Sequence, residues 1–482
     1  MKLHGKEILF ILIAILLPSL TITAQDEETS VTEPPQEVKS AFDFGLNLGL
    51  GVQSFENPDY VPGTDPESAE YITYQSLSLS PDLSFGKFGI GLNLTMNYRF
   101  TGGPNGRSFD IRRADWIPSE AGISFLALYL PKIQYVRWAH KGDPLYIILG
   151  SIENGTLGNG FIMGSYANTL FLPERRIFGA GFDLDGALFG FPYVGFESFA
   201  GNLAVFDVFG GRLYTRPLAW MSVPVIKNLQ IGGSVVVDRK PFYHALINPD
   251  SPYNDPDTPL EVPADANVFV WGADFRLPIL TKGPLTLAAF GDLVNQQEAW
   301  GGMLGFGGRL IKVITYGAQL RILGNDFIPV YFDTTYDLYR PVKYSLYSGE
   351  LSRESYIGWS VSAGFSFLAD LLFFNARLEG PFAKPSTDPA AAFMNPRLRA
   401  VFGLAEGVIP GFFIDASYEK TNIVTTKDLF SAEDAVIGAR INYRTGPAVI
   451  TLKYNLKYDP YVPEGDNPWE ITSGLETSVS LF

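Results

Sequence analysis

The side chains that could perform catalysis or hold a transition metal are few in this chain. It contains 0 cysteines and 3 histidines, of which His4 lies near the N-terminus. A Ser-His-acid site needs a histidine as its general base, so His140 and His244 are the candidates. His140 follows Trp138 at the predicted end of a strand, and His244 lies beside Tyr243 in a long polar stretch. We interpret them as an interfacial residue and an exposed loop residue, and predict no enzyme, no cofactor and no metal site.

Two loop-like stretches contain motifs that could bind ions. The string from Gly155 to Gly160 (GTLGNG) includes a G-x-G motif, but it does not follow an apolar strand and open a helix, as a dinucleotide site requires. The acidic residues of 248–266 could supply oxygen ligands for a weak Ca²⁺ site, but their spacing does not match an EF-hand loop. These residues are Asp250, Asp255, Asp257, Glu261 and Asp265. We interpret this stretch as a solvated acidic loop.

The elements that must position these residues are strands with two different faces. Apolar side chains alternate with small or polar ones for about ten residues at a time, which is the period of a β-strand. One example runs from Phe88 to Phe100 after a tight Gly86-Lys87 turn, and others lie at 42–53, 357–367 and 448–458. Strands of soluble sandwiches usually have about 5 to 6 residues, whereas a tilted strand that crosses a bilayer needs about 9 to 11. The strand length therefore favours a transmembrane β-barrel.

The connections between the strands support this interpretation. Short turns, at Gly86-Lys87, 141–144, 281–284 and 444–447, alternate with long polar connections at 56–70, 101–120, 240–266 and 459–470. That asymmetry is typical of barrels with short periplasmic turns and long external loops. We predict an all-β fold, a closed antiparallel up-and-down barrel of about 20 strands, within a range of 16 to 22. The nearly apolar stretch 187–206 is the hardest to assign, and its Pro192 and glycines argue against a helix.

The N-terminal residues are typical of an exported protein. Lys2 and Lys6 precede an apolar run that ends well before Ala24, and this run is too short to span a bilayer as a helix. We predict a signal peptide at 1–24, a disordered acidic leader at 25–39 and one barrel domain at 40–482. The formal net charge of -15 argues against nucleic acid as a partner.

With these features the chain resembles the porin-like outer-membrane barrels of two-membraned bacteria. The resemblance rests on the signal peptide, the alternation across 41–481 and the C-terminal Leu481-Phe482. It implies a location in the outer membrane, contact with its lipid, and recognition of the C-terminal strand by the barrel-assembly machinery. It also implies a porin or a substrate-selective channel for small solutes. Two alternatives stay open: a surface-exposed structural or adhesive barrel with a blocked lumen, and a transporter of hydrophobic compounds.

Charged residues at inward positions of the predicted strands are the candidates for a pore lining. Such residues either set the selectivity of a pore or pair across the lumen and stabilise a wide barrel, and the sequence does not separate these possibilities. The candidates are Arg99, Arg276, Arg321, Arg397, Arg399, Arg440, Lys453, Lys457, Asp274, Asp415 and Glu419.

The loop 153–176 differs from the other connections because it is rich in both glycine and apolar residues. A water-exposed loop has little reason to carry so many apolar side chains. We therefore predict that it folds into the lumen as a constriction or plug; the alternative is a loop packed over the rim or against a partner. The candidate residues are Gly158, Gly160, Phe161, Tyr166, Arg175 and Arg176.

Overall fold

The structure is a computed structural model, and it describes only part of the chain. The described residues are 43–56, 71–103, 106–171, 175–248, 251–254, 260–281, 283–311, 313–368, 371–387, 395–431, 433–446, 448–458 and 469–480. The predicted signal peptide, the acidic leader and the C-terminal Leu481-Phe482 lie outside them.

Strands dominate the described residues. The first eleven are β1 Asp43–Glu56, β2 Tyr71–Phe85, β3 Phe88–Leu92, β4 Leu94–Gly103, β5 Gly106–Ile111, β6 Ile133–Trp138, β7 Leu145–Gly150, β8 Gly179–Asp185, β9 Val194–Ala200, β10 Val208–Thr215 and β11 Gln230–Asp238. The others are β12 Val268–Leu280, β13 Leu287–Gln296, β14 Ala299–Leu310, β15 Ile314–Leu323, β16 Tyr356–Phe367, β17 Leu372–Pro381, β18 Arg397–Ile409, β19 Phe412–Lys420, β20 Ala435–Thr445, β21 Ala448–Tyr458 and β22 Trp469–Ser480. The α-helices are α1 Pro118–Ala121, α2 Phe125–Tyr129, α3 Tyr243–Ile247 and α4 Tyr336–Tyr347. None of the helices in the described part of the chain could span a bilayer.

The strands form one antiparallel sheet that closes on itself. Neighbours along the chain pair in order, and β1 pairs with β22 from Asn47↔Ser480 to Gly51↔Glu476. Two positions in the wall are each shared by two strands. β3 and β4 run consecutively beside β2, while β5 pairs with β4 and β6 pairs with β3. The 22 strands thus occupy 20 positions around the barrel, which confirms the predicted fold and strand number.

The two faces of the strands meet different surroundings. On β12, Phe269 and Trp271 are exposed on the outside, while Val270 and Asp274 are buried on the inside. The same alternation leaves large apolar side chains exposed on the outer face of most strands. An apolar outer face is stable in lipid, and closure leaves no unpaired strand edge there. The barrel is therefore of the outer-membrane type.

The connections differ in length at the two ends of the barrel. One end carries tight turns such as Gly86-Lys87, and the other carries the connections 151–178, 239–267 and 324–355. The prediction of one polar loop at 101–120 is wrong, because 106–111 form strand β5, which pairs with β4. The apolar stretch 187–206 contains strand β9, as the residues arguing against a helix indicated.

A helical insertion, residues 112–132, separates β5 from β6 in the middle of the wall. Its ends are fixed by backbone hydrogen bonds from Asn93 N to Lys132 O (2.8 Å) and from Arg112 N to Asn97 O (2.9 Å). The side chain of Asn97 points inward and donates to Asp115 Oδ2 at 3.0 Å. The insertion therefore projects into the lumen.

The packed core of the protein lies inside the barrel, near the end with long connections. It joins inward-facing residues of β9 to β16 to the connections 151–178 and 324–355. We call the described residues of these two connections the plug. Its fully buried members include Met163, Phe327, Phe332 and Tyr336. The described residues of the loop 153–176 thus lie within the barrel and not over its rim.

Candidate functional site in the barrel interior

The tip of the first plug connection is held by polar groups of the inner wall. Asn159 Nδ2 donates to Asp292 Oδ2 and to Phe275 O, each at 3.0 Å. The backbone N–H of Gly158 donates to Glu197 Oε2 at 2.9 Å. These contacts reach strands β9, β12 and β13, so the tip spans several neighbouring strands.

Gly158 occupies a position that favours glycine. Its φ is +55°, and a Cβ there would lie 2.8 Å from Arg212 Nε. Arg212 is itself buried and forms salt bridges with Asp274 (2.6 Å) and Glu197 (2.9 Å). The predicted lumen residue Asp274 therefore pairs along the wall, beneath the plug tip.

The two plug connections are joined to each other by backbone hydrogen bonds. Val330 N donates to Phe161 O at 3.0 Å, and Phe332 N donates to Ile162 O at 3.1 Å. The rings of Phe161 and Phe327 stack with centroids 5.6 Å apart. The two connections consequently form one packed unit.

A buried arginine ties this unit to the wall. Arg340 in α4 contacts Asp337 in the same helix (2.6 Å) and Asp207 before β10 (2.6 Å), and it lies 3.4 Å from Asp238 at the end of β11. Tyr166 Oη also donates to Asp337, at 3.2 Å. Burial raises the pKa of Asp337, while the Arg340 guanidinium opposes this shift. Three buried carboxylates thus surround one guanidinium.

His244 lies at the edge of this charge cluster. It is buried in α3, so the interpretation as an exposed loop residue is wrong. Its Nδ1 accepts a hydrogen bond from Arg175 Nη2 at 3.0 Å, and its Nε2 lies 3.8 Å from Asp337. Burial lowers the pKa of His244 well below its usual value, and the positive charges of Arg340 and Arg175 lower it further. Arg176, also predicted at the base of the plug, is half-buried beside Arg175.

A second charge cluster joins the plug to β15, β17 and β18. Asp333 contacts Lys343 at 2.9 Å and Arg397 at 2.8 Å. Glu379 on β17 pairs with Arg321 at 2.8 Å and contacts Arg397 as well. Three predicted lumen residues, Arg321, Arg397 and the neighbouring Arg399, therefore lie together.

A different part of the inner wall is not covered by the plug. Asp415 on β19 and Arg440 on β20 point inward, 3.9 Å apart, with 57% and 54% of their side chains exposed. Lys453 on β21 is in register with Arg440. Of the other candidates, Arg99 pairs with Asp110 at 2.9 Å, Glu419 lies 3.9 Å from Arg399, and Arg276 is exposed on β12. The side chain of Lys457 lies outside the described part of the structure.

The helical insertion 112–132 carries apolar side chains that do not pack into the core. Ile123, Phe125 and Leu126 are exposed there, and the rings of Phe125 and Tyr129 are 4.6 Å apart. The lumen therefore combines mixed charges on the uncovered wall with an apolar projection.

The sequence interpretation did not identify several residues that organise the interior. Arg212, Asp333, Arg340 and Glu379 each link elements far apart in the chain. A signal was present in the wall itself, because the inward positions at the plug end of β10 to β13 include several buried valines. Apolar residues at inward positions indicate an interior that is packed and not watery.

The two loop motifs show no metal centre in the described residues. No group of three or more His, Cys, Asp or Glu that could hold a metal ion occurs among them. Glu261 and Asp265 are exposed, and the other three acidic residues of that loop lie outside the description. His140, in the turn after β6, is half-buried, with its Nε2 3.4 Å from Arg137 Nη1.

No family model matches the chain, and no curated protein matches it in sequence. Among solved structures it is similar to Wzi, an outer membrane protein involved in group 1 capsule assembly in Escherichia coli, at 12% identity and a TM-score of 0.32, covering 90% of this chain and 84% of that chain. It is also similar to OccK5 (OpdH) of Pseudomonas aeruginosa, at 9% identity and a TM-score of 0.30, covering 92% and 98%. A BenF-like porin from Pseudomonas fluorescens Pf-5 shows 11% identity and a TM-score of 0.26, covering 91% and 99%.

Proposed function

We propose that the protein is a channel of the bacterial outer membrane that passes small solutes along the wall left uncovered by the plug. The observation that carries this proposal is the exposed pair Asp415 and Arg440, which faces into the barrel. Charged side chains that remain solvated inside a closed sheet mark water in the lumen. The plug narrows the barrel beside β9 to β18, whereas the wall at Asp415 and Arg440 stays exposed to the lumen.

The proposed path has charges of both signs and an apolar side. Asp415, Arg440 and Lys453 supply the charges, and the insertion supplies Phe125 and Leu126. Charged groups at a narrow point set the ion preference of a pore. No catalytic step is involved. The proposal also includes export by the predicted signal peptide and assembly through the C-terminal strand.

A second candidate function is a structural or adhesive barrel with a blocked lumen. The observation that favours it is the plug core itself, where Met163, Phe332 and Tyr336 are completely buried. A plug that extended across the whole lumen would leave no path for ions.

Conductance in planar bilayers separates these functions. We expect the purified wild type to form ion-conducting pores, and we expect Asp415→Arg to shift the reversal potential in a KCl gradient towards anions. The matched control is Asp265→Arg, the same charge change in an exposed part of a loop. Absence of conductance in the wild type would favour the blocked barrel. Conductance with equal reversal potentials for the wild type and Asp415→Arg would place the path elsewhere.

A further inference from the structure

A cavity lies between the second plug connection and the wall, close to the end with long connections. Its volume is about 170 Å³, and its lining includes Ile328, Leu346, Arg353, Tyr356 and Arg397. The cavity is separate from the pair Asp415 and Arg440. It is large enough for a small organic molecule.

Arg353 differs from the other cations of this cavity because none of the carboxylates that the structure describes forms a salt bridge with it. Its side chain is 7% exposed, its Nη2 donates to Tyr356 Oη, and its Nε has no hydrogen-bond partner in the described structure. By contrast, Arg321, Lys343 and Arg397 contact Glu379 or Asp333.

Two nearby carboxylates are already engaged elsewhere. Asp326 Oδ1 accepts a hydrogen bond from the backbone N–H of Arg353 at 2.6 Å and not from its guanidinium. Asp434, which also lines the cavity, accepts a hydrogen bond from Asn422 Nδ2 at 3.0 Å. A buried guanidinium without a counter-charge is costly, so an anion supplied from solution would stabilise this site.

The rest of the lining sets the kind of anion. Ile328, Pro329 and Leu346 present apolar surface, and Tyr339 and Tyr356 present aromatic rings. A planar guanidinium matches a carboxylate, which it can bind through two parallel hydrogen bonds. We propose that the cavity binds a small organic carboxylate, with its acid group on Arg353 and its apolar body against Ile328 and Leu346. A role of this cavity in selecting solutes rests on the proposed channel function, whereas the binding of the carboxylate does not.

Calorimetric titration of the purified full-length protein in detergent tests this proposal. The probe is cyclohexanecarboxylate, compared with cyclohexylmethanol, which lacks the charge, and acetate, which lacks the apolar body. We expect the carboxylate to bind at least about tenfold more tightly than either control. We also expect Arg353→Gln to weaken its binding at least about tenfold, a change of about 1.4 kcal/mol. The matched control Arg276→Gln removes an exposed inward arginine outside this cavity and should leave the affinity unchanged.

A second variant keeps the test valid if Arg353→Gln does not fold. Ile328→Phe fills the cavity from its apolar side while Arg353 stays in place, and it should also reduce binding at least about tenfold. Equal binding of the carboxylate and the alcohol, or wild-type affinity in either variant that folds, would overturn the proposal. Carboxylate binding that depends on Arg353 in a protein without conductance would retain this proposal and refute the channel.

Discussion

Arg340→Met should release the plug from the wall. The substitution keeps a long apolar side chain but leaves Asp207, Asp238 and Asp337 buried around a site with no cation. Removal of one partner from a buried ion pair costs about 3 to 5 kcal/mol. At about 1.4 kcal/mol per factor of ten, the equilibrium between seated and released plug should shift by about two to four orders of magnitude.

Hydrogen exchange of the protein in lipid nanodiscs measures this shift directly. The peptide that covers α4 should exchange faster in Arg340→Met by a factor similar to the change in equilibrium, while the strand peptides keep their protection. The control is Arg444→Met, which removes an arginine from the half-exposed pair with Glu406. Such exposed pairs contribute about 0 to 1 kcal/mol, so this variant should exchange like the wild type.

A rescue variant separates electrostatics from packing. Combining Arg340→Met with Asp207→Asn and Asp337→Asn removes two of the three unpaired charges, and we expect it to restore much of the protection of α4. Wild-type exchange of α4 in Arg340→Met would refute the reasoning, because it would mean that apolar packing alone seats the plug. If α4 stayed unprotected in the rescue variant, the loss of protection would come from the packing contacts of the arginine side chain and not from its charge.

Three other outcomes follow from the same contacts. Leu452→Arg should lower the yield of folded barrel in liposomes, since a charge on the lipid face costs about 2 to 4 kcal/mol at the midplane. The inward Thr451→Arg should still fold, because it loses only a hydrogen bond to Asn442. Equal yields of the two variants would contradict the assigned faces. Deletion of Gly158–Ser165 removes the plug tip and should raise single-channel conductance while the barrel still folds; unchanged conductance would place the narrow point elsewhere. Because the pKa of His244 is lowered in the folded state, its contribution to plug stability is unaffected well above the unfolded pKa of about 6.5 and becomes unfavourable as the pH falls through that value. The protection factor of α4, which removes the intrinsic pH dependence of amide exchange, should therefore fall between pH 7.5 and 5 in the wild type and much less in His244→Gln. The same fall in both proteins would exclude this histidine.

The fold could be predicted from the sequence because a strand between lipid and water must alternate residue by residue. The stretch Phe88 to Phe100 shows this, since one face is apolar and the other is small or polar. Counting the segments that show this two-residue alternation gave the strand number. The interruption at 112–132 was missed because its helices are only 4 and 5 residues long, too short to show a helical period.

The interior was harder to predict, for a reason that follows from chain topology. The position of loop 153–176 was predicted because apolar residues in a loop need a surface to pack against. Its partners could not be named, since the pair Arg340 and Asp207 is separated by 133 residues. Local patterns carry no information about such distant pairings. The inward valines of β11 and β12 would have indicated which side of the wall is packed.

The bridge between the two plug connections has a mechanical consequence. A wall of twenty strand positions is a single-layered ring around a wide interior. The plug connections begin at β7 and β15, well apart on the circumference, and meet where Met163 pairs with Phe332. They therefore connect two distant parts of the wall across the interior of the barrel. Both ends of each connection are continuous with wall strands, so the plug cannot leave the barrel as a separate domain. Any widening of the lumen must come from bending within these connections, and the shape of the barrel would change along with them.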